Sequence, residues 1–323
     1  MRRCAHGLMS RWDSAPAWPH LRVRFSNGRA CCTGVLFRRS ETSKYPAKNR
    51  AFHMNAKDFF DAGVDESVRA DIRSPRRARL RDVFFDLRLI TNYAYWINKF
   101  RSSGLSKCRV LIVAVAVPGH AAELGRVLRA LASQRHSVIM VTEPMLERGK
   151  FDNINAAIEK HGQLFQYDWI IVTDDDMEIP PGFLDYFLYL ATKYNMKIAQ
   201  PAHRFYSFAT FSITKRRWGT LARQTRFVET GPLTAFHRDT FAALLPFPSL
   251  RWAWGLDLYW ADIARRQGWN IGIIDALPVR HYRPVGSSYS GDAAIAEARQ
   301  FLAARGVTTG RAEIFQAIES YVR

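Results

Sequence analysis

Residues 173–177 read Thr-Asp-Asp-Asp-Met and follow the apolar run 167–172 (YDWIIV). Three adjacent carboxylates repel one another, so the cluster is either a solvated turn or a cation site. In an extended chain Asp174 and Asp176 project to one side, and a turn swings both toward a single ion. Hard divalent ions such as Mg²⁺ or Mn²⁺ take oxygen ligands, commonly one or two carboxylates with substrate phosphates completing the shell. A bound cation also removes the repulsion that makes the triplet costly. Acidic turns after strands are common, so the surrounding elements must decide.

From residue 108 onward strand and helix patterns alternate. Residues 109–117 form a continuous apolar strand pattern, 121–133 a helix with Leu124, Val127, Leu128 and Leu131 on one face, and 137–142 a second strand. A helix over 153–161, a strand over 169–172, a helix after Pro180-Pro181-Gly182 and a strand over 197–200 follow. Such βαβ alternation predicts an α/β fold with a mostly parallel central sheet flanked by helices. Ligands in these sheets sit beyond the carboxyl ends of the strands, where the acidic triplet lies. The second half predicts strand, turn and strand over 227–238, a helix over 256–268, a strand over 269–275, and closing helices over 293–305 and 312–322.

The chain has 323 residues, 48% of them hydrophobic, enough for one large core. Its net charge of +18 is unevenly spread. Residues 1–53 hold eleven Lys and Arg against Asp13 and Glu41, with no sustained apolar period. They read as a disordered basic arm, with translation starting at Met54 as the alternative. Residues 54–106 read as a linker and a basic helix, 107–290 as the main domain, and 291–323 as its helical closure. Three of the four cysteines fall in the arm, which leaves Cys108 without a partner and fits a reducing compartment. No apolar run approaches the ~20 residues needed to span a bilayer. The expectation is a cytoplasmic protein, peripheral at most at the inner membrane face.

Within 76–101, Leu80, Val83, Phe84, Leu87, Thr91, Ala94 and Ile97 recur at helical spacing among Arg76, Arg77, Arg79, Arg81 and Arg88. The simplest packing turns the apolar stripe onto the domain and the Arg face to solvent. The alternative is docking to anionic lipid headgroups or an acidic acceptor.

Three further stretches accompany the triplet: GKFDNINAAI at 149–158, RWAWGLDLY at 251–259, and IGIIDALPVRHYRP at 271–284. In this order they resemble the metal-dependent nucleotide-sugar glycosyltransferases of GT-A (Rossmann-like) fold, close to glycosyltransferase family 2, over roughly 107–290. The resemblance implies a sugar transferred from a nucleotide-diphosphate donor, UDP- or GDP-linked, to a hydroxyl of a glycan or lipid-linked acceptor. It implies Mn²⁺ or Mg²⁺ held by Asp176 and His281, with Asp174 assisting or contacting the ribose. Asp257 would be the general base, which favours inversion. Pro118, Glu143, Lys150, Asp152, Asn155, Asp175 and Arg283 would lie near the nucleotide or donor, and Arg280 beside phosphate oxygens. Gly231, Trp252, Trp254 and Gly255 would border the sugars. The stretch WAWGLD is similar to the Trp-Gly-Trp-Gly segment of galactosyltransferases, with Ala253 where that segment has glycine.

Each residue also has a structural reading: Asp257 as a helix cap, His281 as a loop histidine, Trp252 and Trp254 as core. Other phosphate chemistries fit poorly. The stretch 174–178 ends in Glu178 where dehalogenase-type phosphatases carry Thr or Val, the turn at 117–120 is not Gly-rich, and no Walker loop is present. A nucleic-acid-binding protein would fit the high charge, but no such motif is present.

Overall fold

The structure is a computed structural model and describes residue 60 and residues 66–284, 291–308, 313 and 315–322. The basic arm expected over 1–53 and the start of the linker lie outside the described residues. The described residues all belong to one compact unit, 51–323.

Among the described residues three helices precede the sheet: α1 (Glu66–Arg73), α2 (Pro75–Thr91) and α3 (Tyr93–Ser102). The single helix expected over 76–101 is therefore two. Asn92 turns extended, and its side-chain oxygen accepts the Ala94 N–H at 2.9 Å, capping the second helix as it ends the first.

The remaining elements are β1 (Arg109–Ala116), α4 (Ala121–Ala130), β2 (Ser137–Pro144), α5 (Lys150–His161), β3 (Trp169–Thr173), β4 (Met177–Glu178), α6 (Phe183–Lys193), β5 (Met196–His203), β6 (Ala222–Thr225), β7 (Leu233–His237), α7 (Phe241–Leu244), α8 (Leu256–Gln267), β8 (Asn270–His281), α9 (Gly291–Ala304) and β9 (Ala317–Tyr321). Among the described residues the strands form one nine-stranded sheet ordered β2-β1-β3-β7-β5-β8-β6-β9, with the short β4 on β8. The β2-β1-β3 part is parallel, as is β5 with β8. The pairs around β7, β6 and β9 are antiparallel.

The period of two explains why β1 reads as unbroken apolar sequence. Leu111, Val113 and Val115 pack on one face with Phe151, Ile154 and Trp260. Val110 and Ile112 pack on the other with Val127, Leu131, Phe183 and Phe187. Both faces are covered, so neither needs polar residues.

Three further expectations are corrected. Residues 317–321 are a strand, where the spacing of apolar residues predicts helix. The open edge of β6 takes their backbone hydrogen bonds, and Tyr321 stacks on Tyr194 with ring centroids 3.9 Å apart. Likewise 227–228 are loop, not strand, and β6 ends before them at Thr225.

The last correction concerns α2, whose apolar stripe faces solvent instead of the domain. Its inner side sets two acids among Ala78, Phe85 and Leu89. Asp82 accepts the backbone N–H groups of Phe205 (3.0 Å) and Tyr206 (2.9 Å), and Asp86 pairs with Arg204 (2.8 Å) and Arg216 (2.7 Å). Leu80, Val83, Phe84 and Leu87 face solvent, with 71, 65, 59 and 57% of their surface exposed. Charge pairing, which hydrophobic periodicity does not register, decided which side faces the domain.

Candidate active site

The triplet sits just past the carboxyl end of β3. The Asp174 N–H donates to the Pro232 carbonyl (2.8 Å), and the Tyr282 N–H donates to the Asp176 carbonyl (3.0 Å). Through β4, Met177 pairs with His281, so a backbone ladder brings the end of β8 to the acidic turn. His281 Nε2 then lies 3.1 Å from Asp176 Oδ2. Asp174, Asp176 and His281 each offer a donor atom, and these atoms lie within 4.8 Å of one another. The alternation is as extended geometry requires: Asp175 points away, 2.8 Å from His120 Nδ1 and 3.4 Å from Arg283.

Electrostatics bind these groups together. Burial pushes the Asp176 carboxyl up, but the bond and charge of His281 outweigh it and hold the group below its ordinary range. Burial pushes the His281 imidazole down, and Asp176 more than reverses this, leaving it above its usual value. Asp175, with burial dominant, is raised. Lys150 Nζ lies 2.5 Å from Asp174 Oδ1. Each outer carboxylate thus faces a nitrogen, Asp174 the Lys150 ammonium and Asp176 the His281 ring, and the donor set of two carboxylates and one imidazole fits a divalent ion such as Mn²⁺ or Mg²⁺.

A pocket of about 390 Å³ opens in front of this cluster. Of the expected residues it gathers Lys150, Asp174, Asp176, Gly231, Trp252, Trp254, Asp257, His281 and Arg283. Gly231 approaches closely: a side chain there would begin 3.1 Å from Asp174 Oδ2. Gly149 has no room at all, since a Cβ would fall 2.0 Å from the Leu250 carbonyl oxygen. That close approach sets Lys150 beside the segment carrying Trp252 and Trp254.

Asp257 stands in the first turn of α8, buried, with Oδ1 accepting the Leu258 N–H at 2.9 Å. Burial pushes its carboxyl up to about 7, with nearby Glu229 adding to the rise and the Leu258 bond opposing it. The Trp loop before it is fixed by Glu297, whose carboxylate accepts the N–H groups of Arg251 (2.8 Å) and Trp252 (3.1 Å). Ala253 adopts φ 63°, the left-handed region that favours glycine.

Other expected residues lie elsewhere. The side-chain amide of Asn155 is spent on the backbone of Phe247, donating at 2.8 Å and accepting at 2.9 Å. Glu143 is buried against Lys160 (2.6 Å) and Arg148 (3.7 Å). Arg280 lies 3.8 Å from Glu178 and stacks on Tyr206 and Tyr282. Gly255, at φ 86°, packs against Ala298 and Leu302 of α9 and starts α8 rather than facing the pocket. Pro118 is exposed after β1, and Asp152 sits in the first turn of α5. These two, with Asp175, are absent from the pocket lining.

Sequence reasoning missed the buried pair His203 and Glu229, which also line the pocket with Nε2 and Oε2 3.2 Å apart. Glu229 accepts the Thr210 N–H (2.8 Å) and the Thr214 hydroxyl (3.0 Å). Burial acts to raise Glu229, yet these partners hold it below its ordinary value, while burial lowers His203. A single acid in a loop carries no periodic signal, and only its position just before Gly231 hinted at it.

The α/β sheet with an Asp-Asp-His cluster at its strand ends defines the GT-A class of fold. Residues 120–250 match the family described as Glycosyl transferase family 2. The match includes Lys150, the triplet and Gly231, and ends before Trp252, Asp257 and His281, which geometry alone brings to the pocket. No curated protein matches the chain. Among solved structures, "Crystal Structure of A197 from STIV" aligns at 13% identity over 54% of this chain and 86% of that one, with a TM-score of 0.37, too distant to bear on chemistry.

Proposed function

We propose that the protein is a metal-dependent glycosyltransferase that moves a sugar from a nucleotide-diphosphate donor to a hydroxyl of a glycan or lipid-linked acceptor. The observation that carries this reading is one pocket in which Asp174, Asp176 and His281 converge and Asp257 also stands, with Trp252 and Trp254 in its lining.

Asp174, Asp176 and His281 would hold Mn²⁺ or Mg²⁺. A cation bound there would neutralise charge developing on the diphosphate leaving group. Lys150 and Arg283 line the same pocket and would pair with phosphate oxygens. Asp257, raised by burial, is tuned to take a proton from an acceptor hydroxyl near neutral pH. A single base acting on the acceptor means direct displacement with inversion. The indole faces of Trp252 and Trp254 suit the apolar C–H faces of a sugar ring, and the room left by Gly231 suits the donor sugar.

The test is a thermal-shift panel with UDP, GDP, CDP and TDP, each with and without Mn²⁺, on wild type and Asp176→Ala. A ligand at 100 times its Kd adds about 2.7 kcal/mol of stability. The expected result is stabilisation by one nucleotide, only with metal and lost in the variant. Absence of any nucleotide shift would overturn the reading and favour binding of an anionic polymer.

A further inference from the structure

Among the described residues, the outward face of α2 and α3 carries a row of exposed apolar side chains. On α2, Leu80, Val83, Phe84 and Leu87 follow helical spacing, so they form one stripe, and all four are exposed. On α3, Tyr93, Trp96 and Phe100 continue the exposed apolar surface, with Tyr93 78% and Phe100 79% accessible. Trp218 extends it, stacking on Phe84 with ring centroids 4.7 Å apart. A contiguous exposed apolar surface of this kind marks an interaction site. The helices have 17 and 10 residues, and at 1.5 Å per residue they run for about 25 and 15 Å.

Charge selects the occupant. Residues 75–102 carry seven cations (Arg76, Arg77, Arg79, Arg81, Arg88, Lys99 and Arg101) and two acids, Asp82 and Asp86. Both acids are engaged on the inner side, with Arg204, Arg216 and the backbone of 205–206. The outward side is therefore apolar with cationic flanks. A cleft of about 630 Å³ opens at the break between the helices, lined by Arg88, Arg101 and Lys193 beside Tyr93 and Ile97. A second copy of this face would set like charges against like. Residues 1–53, with eleven cations against two acids, would do the same.

We propose that the α2–α3 face seats the protein on an anionic lipid surface. The stripe enters the acyl boundary, the aromatic side chains lie at headgroup level, and the cleft receives a lipid phosphate. Through Asp82 and Asp86 the same helix grips residues 204–206, and the chain then runs directly into Phe208, Thr210 and Phe211 of the pocket lining. The pocket is thereby coupled to the lipid-facing helix, as a lipid-linked acceptor would require. Binding to lipid does not depend on the proposed sugar transfer, so the two stand or fall separately.

The test is flotation of the full chain with vesicles of phosphatidylcholine alone or with one-third phosphatidylglycerol, at low and high salt. Because each cation near such a surface contributes about 1 kcal/mol, anionic vesicles should bind on the order of tenfold or more better than neutral ones, with the difference shrinking in high salt. The double variant Phe84→Ser/Leu87→Ser and the double variant Arg77→Gln/Arg88→Gln should each lose most of this binding while keeping the wild-type circular dichroism. Equal binding to both vesicle types, absence of binding, or unchanged binding by both variants would overturn the proposal. So would a concentration-dependent dimer abolished by Phe84→Ser/Leu87→Ser, which would make the face a protein interface.

Discussion

His281 Nε2 lies 3.1 Å from Asp176 Oδ2, although one residue ends β8 and the other follows β3. The β4–β8 ladder holds them in register, since Met177 and His281 are backbone partners. This pairing converts a common acidic turn into a three-donor site.

If the three donors hold the cation, the imidazole is one ligand of the set. His281→Ala should then raise the metal concentration for half-maximal activity on the order of tenfold or more, at least about 1.4 kcal/mol of binding. Titration of activity with Mn²⁺ after chelation reads this directly. Asp175→Asn, whose side chain points to His120 and Arg283, should leave the metal requirement unchanged.

Asp257 links activity to pH in one direction and stability in the other. Burial raises its carboxyl from an ordinary 3.8 to about 7. Between those values the native state holds a proton that the unfolded chain has released, so stability falls as pH rises through that window. Asp257→Asn removes the term. The variant should melt higher than wild type at pH 8, by up to on the order of 4 kcal/mol, and show no such gain at pH 4. Its turnover should drop about 10²- to 10⁴-fold, and wild-type kcat/KM should rise with pH through a value near 7. An unchanged pH–stability slope in the variant would contradict this account.

Arg223 and Asp275 form a fully buried ion pair between β6 and β8, with Nε–Oδ2 at 2.7 Å and Nη2–Oδ1 at 3.0 Å. Asp275 also accepts from Thr220 and the Arg217 N–H. Removing one partner strands a buried charge, so Asp275→Ala should cost about 3–5 kcal/mol in denaturant titration.

Ala253 holds a left-handed backbone between two pocket tryptophans. Glycine accepts that conformation without its steric cost, so Ala253→Gly should stabilise the protein by on the order of 1 kcal/mol. A loss of stability in thermal melts would mean the Ala253 methyl, which is buried, contributes more by packing than its backbone costs.

Much of the architecture was legible because it depends on short-range pattern. The continuous runs of β1 and β3 announce strands buried on both faces, and the strand-then-acid order places the triplet at a strand end. The spacing of Asp174 and Asp176 implied that they share a side, whereas Asp175, expected near the donor, points to His120 and Arg283. The C-terminal strand was hidden because its apolar residues are spaced as in a helix, and only the open edge of β6 turned them into a strand. Asn155 and Gly255 look like site residues by position, yet one is consumed by the Phe247 backbone and the other packs on α9.

By itself the sequence determined most of the strands and helices between 109 and 281, where the carboxylates cluster, and that the chain is strongly basic, because periodicity and composition are local quantities. Tertiary structure alone decided that His281 meets Asp176, that Glu229 and His203 share the pocket with Asp257, and that α2 turns its apolar stripe outward. Each of these rests on pairing between groups remote in the chain, and pairing energies of buried charges and backbone amides leave no periodic trace.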